Sequence, residues 1–487
     1  MKITKEDILR DFQKLKKMVN LSMRSKKWEQ ACSYISNAAT LMYNANLIYE
    51  DAELECCLKN IAQNILPQNK NHSNNNKRIV FYDYFVLDNR GLTEQYLNAL
   101  FDSGWKILFV GYPHGNNSEQ ICKKLNAHNV KAVFISETSE VKGATKIFKA
   151  VEDFNPSIII AHTSPWDLAG LMAIYNFEGH CTRYLINITD HTFWLGTTFF
   201  DYYLEFRDYG FNISKRYRKI DEKKLLKLPY YPIVNENIQF KGFDFNTKNK
   251  KLIFSGGSIY KIKGSQKFFD LVKYILTKYQ DTIFLFLGNG DSSYIQKFID
   301  ENGFQDRMYY QTERKDIWEI FRHCDLYLNT YPLIGGLMTQ YACLAGKIPL
   351  TLNDTNDKCN DIYELMLNHF DLDFQLDSIE KYKTKIDEYM QSPEKLKYHG
   401  KILRDSIIRP EIFKELFFKY LQQPSNLLNI NEYDIDISRF SEQYINRFNE
   451  DNGIQYYLNF YRKDIRYLLN FSLYYIKYIN LRIKSIF

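Results

Sequence analysis

The sequence predicts an α/β protein of two successive doubly wound domains facing a cleft, with a helical segment before them and a helical tail behind. Three observations carry this. From residue 78 short apolar runs alternate with helical periods, the pattern of a parallel sheet covered on both faces. The alternation pauses near residue 235 and restarts at Lys251, giving two halves of domain size within a 487-residue chain. Glycine turns then follow three strand ends of the second half, at Gly256, Gly288 and Gly335.

The elements follow in order. Residues 4–66 read as helices: Thr4 and Asp7 form a capping box, and Leu9, Phe12, Leu15 and Met18 recur at three-residue steps. A polar run over 67–77 has almost nothing to bury and reads as a linker. The first domain, 78–235, begins with the strand Ile79–Tyr82. Strands follow at Lys106–Val110, Ala132–Ile135, Ser157–Ala161, Arg183–Asn187 and Tyr202–Glu205. Helices are expected at Leu92–Ser103, Glu119–His128 and Gly143–Asp153. The second domain, 236–424, has strands at Lys251–Phe254, Ile283–Leu287, Met308–Tyr310, Asp325–Leu328 and Pro349–Leu352. Its helices are Gln266–Tyr279, Ser293–Asn302 and Lys315–His323, with further helix over 372–424. Residues 425–487 form an aromatic and basic helical tail.

Charge narrows the partners. The formal net charge is +6. From Arg462 to Phe487 six basic residues stand against one acid, Asp464, so a net of +5 sits in the last turns of the tail. The rest is nearly neutral, which argues against a nucleic-acid-binding body. The tail suits the anionic inner face of a membrane, or equally a packed amphipathic helix. Eight scattered cysteines show no C-x-x-C pair and no zinc spacing, as expected in a reducing cytoplasm. No apolar run is long enough to span a bilayer, and no apolar signal core follows Met1.

The chemistry-bearing residues of the second half cluster at strand ends. Asn329-Thr330-Tyr331-Pro332 runs through Gly335-Gly336 into a helix carrying Thr339 and Gln340. Such a turn frees backbone amides at a helix N-terminus, where a phosphate binds. Gly256-Gly257-Ser258 is followed by Lys261, a cation placed to meet that phosphate. Gly288-Asn289-Gly290 is a second turn, without the third glycine of a dinucleotide fingerprint.

Together these motifs resemble the donor-sugar domain of the two-domain (GT-B) glycosyltransferases, more narrowly the O-GlcNAc transferase and SPINDLY-like group with its bacterial relatives. The likeness covers roughly residues 78–360. Tyr260-Lys261-Ile262 resembles the diphosphate-binding lysine segment of that group, Pro332 with Gly335-Gly336 its turn under the pyrophosphate, and Thr339 its donor-helix threonine. In the first half, Phe200–Leu204, Tyr217–Lys227 and Leu228-Pro229 resemble the strand, helix and L-P segment that close its first domain. The resemblance implies two Rossmann-like domains and transfer of a hexosyl or N-acetylhexosaminyl group from a nucleotide-sugar, UDP-linked, to a saccharide, lipid-linked or protein acceptor, with no further cofactor. The chain departs from the pattern where many such enzymes carry a ribose-binding acid, since Gln340 and Tyr341 stand there.

The first half supplies the acceptor side. Asp190-His191 follows a strand, with His191 as general base and Asp190 orienting it. Trp194, with Phe193, is placed to line a sugar pocket; His162 and His114 lie in two other strand-end loops, and Asp83 and Asp88 follow the first strand. No Asp-x-Asp pair falls at a strand end, so metal-independent catalysis is expected, with Lys261 and backbone amides meeting the leaving charge. Two other readings stay open: a non-catalytic sugar-nucleotide-binding scaffold, and a sugar-nucleotide epimerase of the same architecture.

Overall fold

A computed structural model of the protein describes residues 3–69, 76–87, 91–113, 118–187, 189–235, 238–367 and 371–450. His114, Asp88, most of the polar run over 67–77 and the basic tail from residue 451 lie outside the described residues. The chain forms two compact units, 1–228 with 417–487, and 229–416. The sequence reading divides the domains at 235/236 and 424/425 instead, and sets 1–66 apart.

The first unit opens with three helices, α1 (Lys5–Arg24), α2 (Trp28–Ala45) and α3 (Ala52–Ile65). The Thr4–Asp7 capping box forms as read, Asp51 caps α3 through the Leu54 amide, and α2 stops at Asn46 in the left-handed region. The strands are β1 (Arg78–Asp83), β2 (Lys106–Gly111), β3 (Lys131–Phe134), β4 (Ile158–His162), β5 (Thr182–Ile186), β6 (Tyr202–Glu205) and β7 (Leu225–Lys227). Between them run α4 (Gly91–Leu100), α5 (Glu119–Ala127), α6 (Glu140–Phe154), α7 (Leu168–Tyr175) and α8 (Asp208–Arg216). All the strands pair in parallel, in the order β3-β2-β1-β4-β5-β6-β7. The order reverses between β1 and β4, which makes their carboxyl ends the switch point where such sheets bind ligands.

A large core cluster joins the opening helices to the sheet. Ile8, Phe12 and Leu15 of α1, Ile35 and Met42 of α2 and Leu58 of α3 are buried in the same cluster as Val80, Leu108, Ile159 and Leu171. The helices read as a separate segment therefore share the first unit's core. A further difference has a local cause. The helix expected over Tyr217–Lys227 is the earlier α8; Lys219 adopts φ +55 and ends any helical continuation. A turn of 3₁₀ helix and β7 occupy the remainder.

The second unit repeats the topology: β8 (Lys251–Gly256), α9 (Gln266–Lys278), β9 (Thr282–Leu287), α10 (Ser293–Asn302), β10 (Met308–Gln311), α11 (Ile317–His323), β11 (Leu326–Leu328), α12 (Gly336–Leu344), β12 (Pro349–Leu352) and β13 (Gln375–Leu376), then α13 (Ile379–Gln391) and α14 (Pro393–Ser406). Its parallel order is β10-β9-β8-β11-β12-β13, with the switch point between β8 and β11. The apolar strand Thr282–Leu287 is buried at every position, as a strand covered on both faces requires. Helix α15 (Pro410–Gln422) leads the chain back, and α16 (Ile437–Glu450) packs in the first unit, where Ser441 donates to the Asn46 carbonyl at 2.8 Å.

Candidate active site

In the second unit, the turn after β11 is built by two asparagines. Asn329 is buried; its Oδ1 accepts from the Gly335 amide at 2.9 Å and the Thr330 amide at 3.0 Å. Its Nδ2 donates to Thr339 Oγ1 at 2.8 Å and Thr351 Oγ1 at 3.1 Å. Asn360 holds the other side, accepting from the Ile334 amide and donating to the Pro332 carbonyl at 2.9 Å. The turn is thus fixed before any ligand arrives, and α12 begins at Gly336 with no side-chain cap. Helix-start amides left uncapped carry a partial positive charge and bind anions.

Lys261 reaches this turn. Its Nζ donates to the Ile334 carbonyl at 2.7 Å, so the cation lies beside the start of α12 although 73 residues separate the two in sequence. The glycines between them allow the approach. Gly257 sits at φ +138, and a Cβ on Gly288 would lie 1.9 Å from the Gly257 carbonyl oxygen. The loops after β8 and β9 therefore touch through bare backbone. Gly256, Gly257, Ser258, Lys261, Gly288, Pro332, Gly335 and Gly336 all fall at the carboxyl end of this sheet, around its switch point.

Three expected donor residues face elsewhere. Asn289 donates to Glu313 at 2.6 Å and accepts from the Glu313 amide, so its side chain ties two loops. Thr339 is fully buried and donates to the Gly335 carbonyl at 3.0 Å, behind the turn. Gln340 is also buried and donates to the Tyr230 and Leu365 carbonyls. All three side chains build the turn and its surroundings. Of the two braces, only Asn329 has a signal in the sequence, as an asparagine flanking a Pro-Gly turn; Asn360 is remote in sequence and reaches the turn through the fold.

In the first unit, Asp190 and His191 pair as read, Nδ1 to Oδ1 at 2.9 Å. Asp190 is buried, and Arg207 donates to its second oxygen at 2.6 Å. Burial raises the Asp190 pKa, but the Arg207 charge and the bonds from His191 and Arg207 outweigh it and hold the carboxyl well below the usual range. The His191 side chain is 34% exposed. The loop is anchored from behind: Arg218 donates to the carbonyls of Thr189, Asp190 and Thr192, and Asn46 to that of His191. Glu55 of α3 accepts from the amides of Gly196, Thr197 and Thr198.

Trp194 belongs to this brace and does not line an open pocket. It is 4% exposed, with the Arg218 guanidinium 4.7 Å from its ring centre and Tyr203 stacked on it. Phe193 is likewise buried.

His162 has a partner that no local motif announced. The β1–β4 register sets it opposite Asp83, and Nδ1 lies 2.9 Å from Asp83 Oδ1. Thr93 of α4 approaches Nδ1 at 2.9 Å and donates to Asp83 Oδ2 at 3.1 Å. All three residues are fully buried, at the switch point itself. On the other face of β1, burial raises Asp167 to about 7 and Glu140 to about 7, although each accepts an amide of α7.

No protein-family model and no curated protein matches the chain. Solved structures do. HepE of Anabaena in complex with UDP and glucose is 13% identical over 71% of this chain and 99% of its own, at a TM-score of 0.52. A glycosyltransferase from Rickettsia africae is 14% identical over 71% and 99%, at 0.51. An O-GlcNAc transferase of Thermobaculum terrenum is 11% identical over 90% and 85%, at 0.52. At these identities the likeness establishes the fold, and the fold is GT-B.

Proposed function

We propose that the protein transfers a sugar from a nucleoside-diphosphate sugar, UDP-linked, to a hydroxyl-bearing acceptor. The observation that carries this reading is the second unit's anion cradle: Lys261 beside the uncapped start of α12, on a turn already braced by Asn329 and Asn360. Its chemistry suits the diphosphate, whose charge grows as the sugar departs. The neighbours add support, since HepE was solved with UDP and glucose. Lys261 and the first amides of α12 then supply the positive charge that a metal provides in other enzymes, and no further cofactor is required. On the first unit, Asp190–His191 and Asp83–His162 each present an imidazole whose Nδ1 is held by a carboxylate, the arrangement of a general base.

The acceptor is a saccharide, a lipid-linked saccharide or a protein. The net charge of +5 from Arg462 to Phe487 favours a lipid-linked one held at an anionic surface, each basic residue there contributing about 1 kcal/mol. Thermal-shift screening against UDP-, GDP-, TDP- and CMP-sugars, followed by a hydrolysis assay on the hit, tests the reading. Stabilisation by one nucleotide series with slow release of free sugar is expected. Stabilisation without any turnover leaves a sugar-nucleotide-binding scaffold, and release of an isomerised sugar identifies an epimerase.

A further inference from the structure

We infer that the proton acceptor of this reaction is His162, positioned by Asp83 and Thr93; the inference rests on the proposed sugar transfer. Asp83 accepts at both oxygens, from the Phe85 and Val86 amides as well as from Thr93. Nδ1 of His162 therefore donates to it, and the ring's lone pair falls on Nε2. That Nε2 is buried and has no hydrogen-bond partner among the described residues. A buried acceptor left without a donor is uncommon and costly, and it marks a place where a polar group is missing. An acceptor hydroxyl is such a group.

Position supports the same reading. Asp83 and His162 end the two strands between which the strand order reverses, where ligands of doubly wound sheets sit. His191 follows β5, one strand further along, and its ring lies 6.3 Å from Tyr444 of α16. The His162 ring is covered by Phe85, 5.2 Å away, in a short loop whose Val86 adopts φ +42. A β-branched residue rarely takes that conformation, so the cover is held at a conformational cost. The hydroxyl reaches Nε2 by displacing the Phe85 ring. In the step, the acceptor O–H proton passes to Nε2, the oxygen bonds to the anomeric carbon, and the bond to the diphosphate breaks with its electron pair.

The groups around His162 are few. Asp83 touches the ring, Thr93 and Phe85 close it, and Asp167 is the next carboxyl, near enough for Asp83 to raise its pKa. Removing Asp83 therefore removes the acceptor that holds the proton on Nδ1.

The test measures UDP binding by calorimetry and turnover of UDP-glucose and UDP-GlcNAc, with water as acceptor, across pH. His162→Gln is expected to lower turnover by about 10²–10⁴-fold and leave UDP affinity within about twofold. Asp83→Asn, whose side-chain amide can donate to Nδ1 and so place the ring's proton on Nε2, should lower kcat by about 10²–10⁴-fold with UDP affinity within about twofold. It keeps the imidazole, so it remains informative if His162→Gln fails to fold. A folded His162→Gln protein with turnover within threefold of wild type, or an Asp83→Asn protein with kcat unchanged, overturns the assignment and leaves a purely structural triad. Wild-type protein that neither binds UDP nor turns over either sugar nucleotide removes the proposed function, and the relay with it.

Discussion

Asp190–His191 and Asp83–His162 have the same two side chains at the same 2.9 Å, in opposite settings. The first pair is adjacent in sequence, with only its imidazole partly exposed, and steered by two arginines. The second joins residues 79 positions apart, lies in the core, and keeps a nitrogen with no partner among the described residues. A pair that is adjacent in sequence is visible to inspection. A pair made by sheet register appears only once the strand order is known. The difference teaches that the more conspicuous pair need not be the more reactive one.

The largest expected effect breaks or confirms that contrast directly. His191→Gln is expected to cost about tenfold or less in turnover, against about 10²–10⁴-fold for His162→Gln. Parallel kinetics on the two folded variants decide; a reversed ranking makes the exposed pair the base. Next comes the donor side, which should be indifferent to both imidazoles. Lys261→Ala should weaken UDP binding by about 1.5–3 kcal/mol, the worth of a hydrogen bond to a charged group, roughly 10–150-fold in Kd. Isothermal calorimetry reads it, and an unchanged Kd removes Lys261 from the diphosphate.

A smaller effect separates the two regions by pH. Asp167 and Glu140 are raised to about 7 by burial, so folding keeps them protonated where the unfolded chain ionises near pH 4. Their contribution is complete below about pH 4 and is lost as pH rises to about 7. Asp190 is depressed, so its contribution is present above about pH 4 and lost as pH falls below it. Melting temperature should therefore decline between about pH 4 and pH 7 and level off above it, and Asp167→Asn should flatten that decline while Asp190→Asn should not. Equal slopes in both variants would show that the acids near α7 do not control it. The smallest expected effect is none: EDTA should leave turnover unchanged, and a loss restored by Mg²⁺ or Mn²⁺ would place a metal at the diphosphate.

Much of the architecture was legible. Apolar runs such as Ile158–Ala161 and Ile283–Leu287 can only be strands buried on both faces, and their alternation with helices forces parallel pairing. The Lys261 and Pro332–Gly336 turns were legible too, because glycine and proline constrain backbone locally. What escaped was long-range. Nothing near Asp83 announces His162, and nothing near Glu55 announces the amides of Gly196 to Thr198. Trp194 read as a pocket wall because an aromatic beside a strand-end histidine suits a sugar; its burial depends on Arg218, twenty-four positions later. The share of α1 to α3 in the first core is likewise a matter of tertiary packing, which helical periodicity does not specify.

The route of the chain bears on how the protein is made. Ile3 exchanges hydrogen bonds with Asn449, 446 positions later, and the whole of the second unit lies between them in sequence. At roughly 5–20 residues per second of synthesis, Ile3 waits on the order of half a minute or more for its partner. The second unit, continuous in sequence, is fully synthesised before the first has its last helix. On a ribosome the first unit is therefore a nascent body whose seam along α2 stays open until α16 emerges.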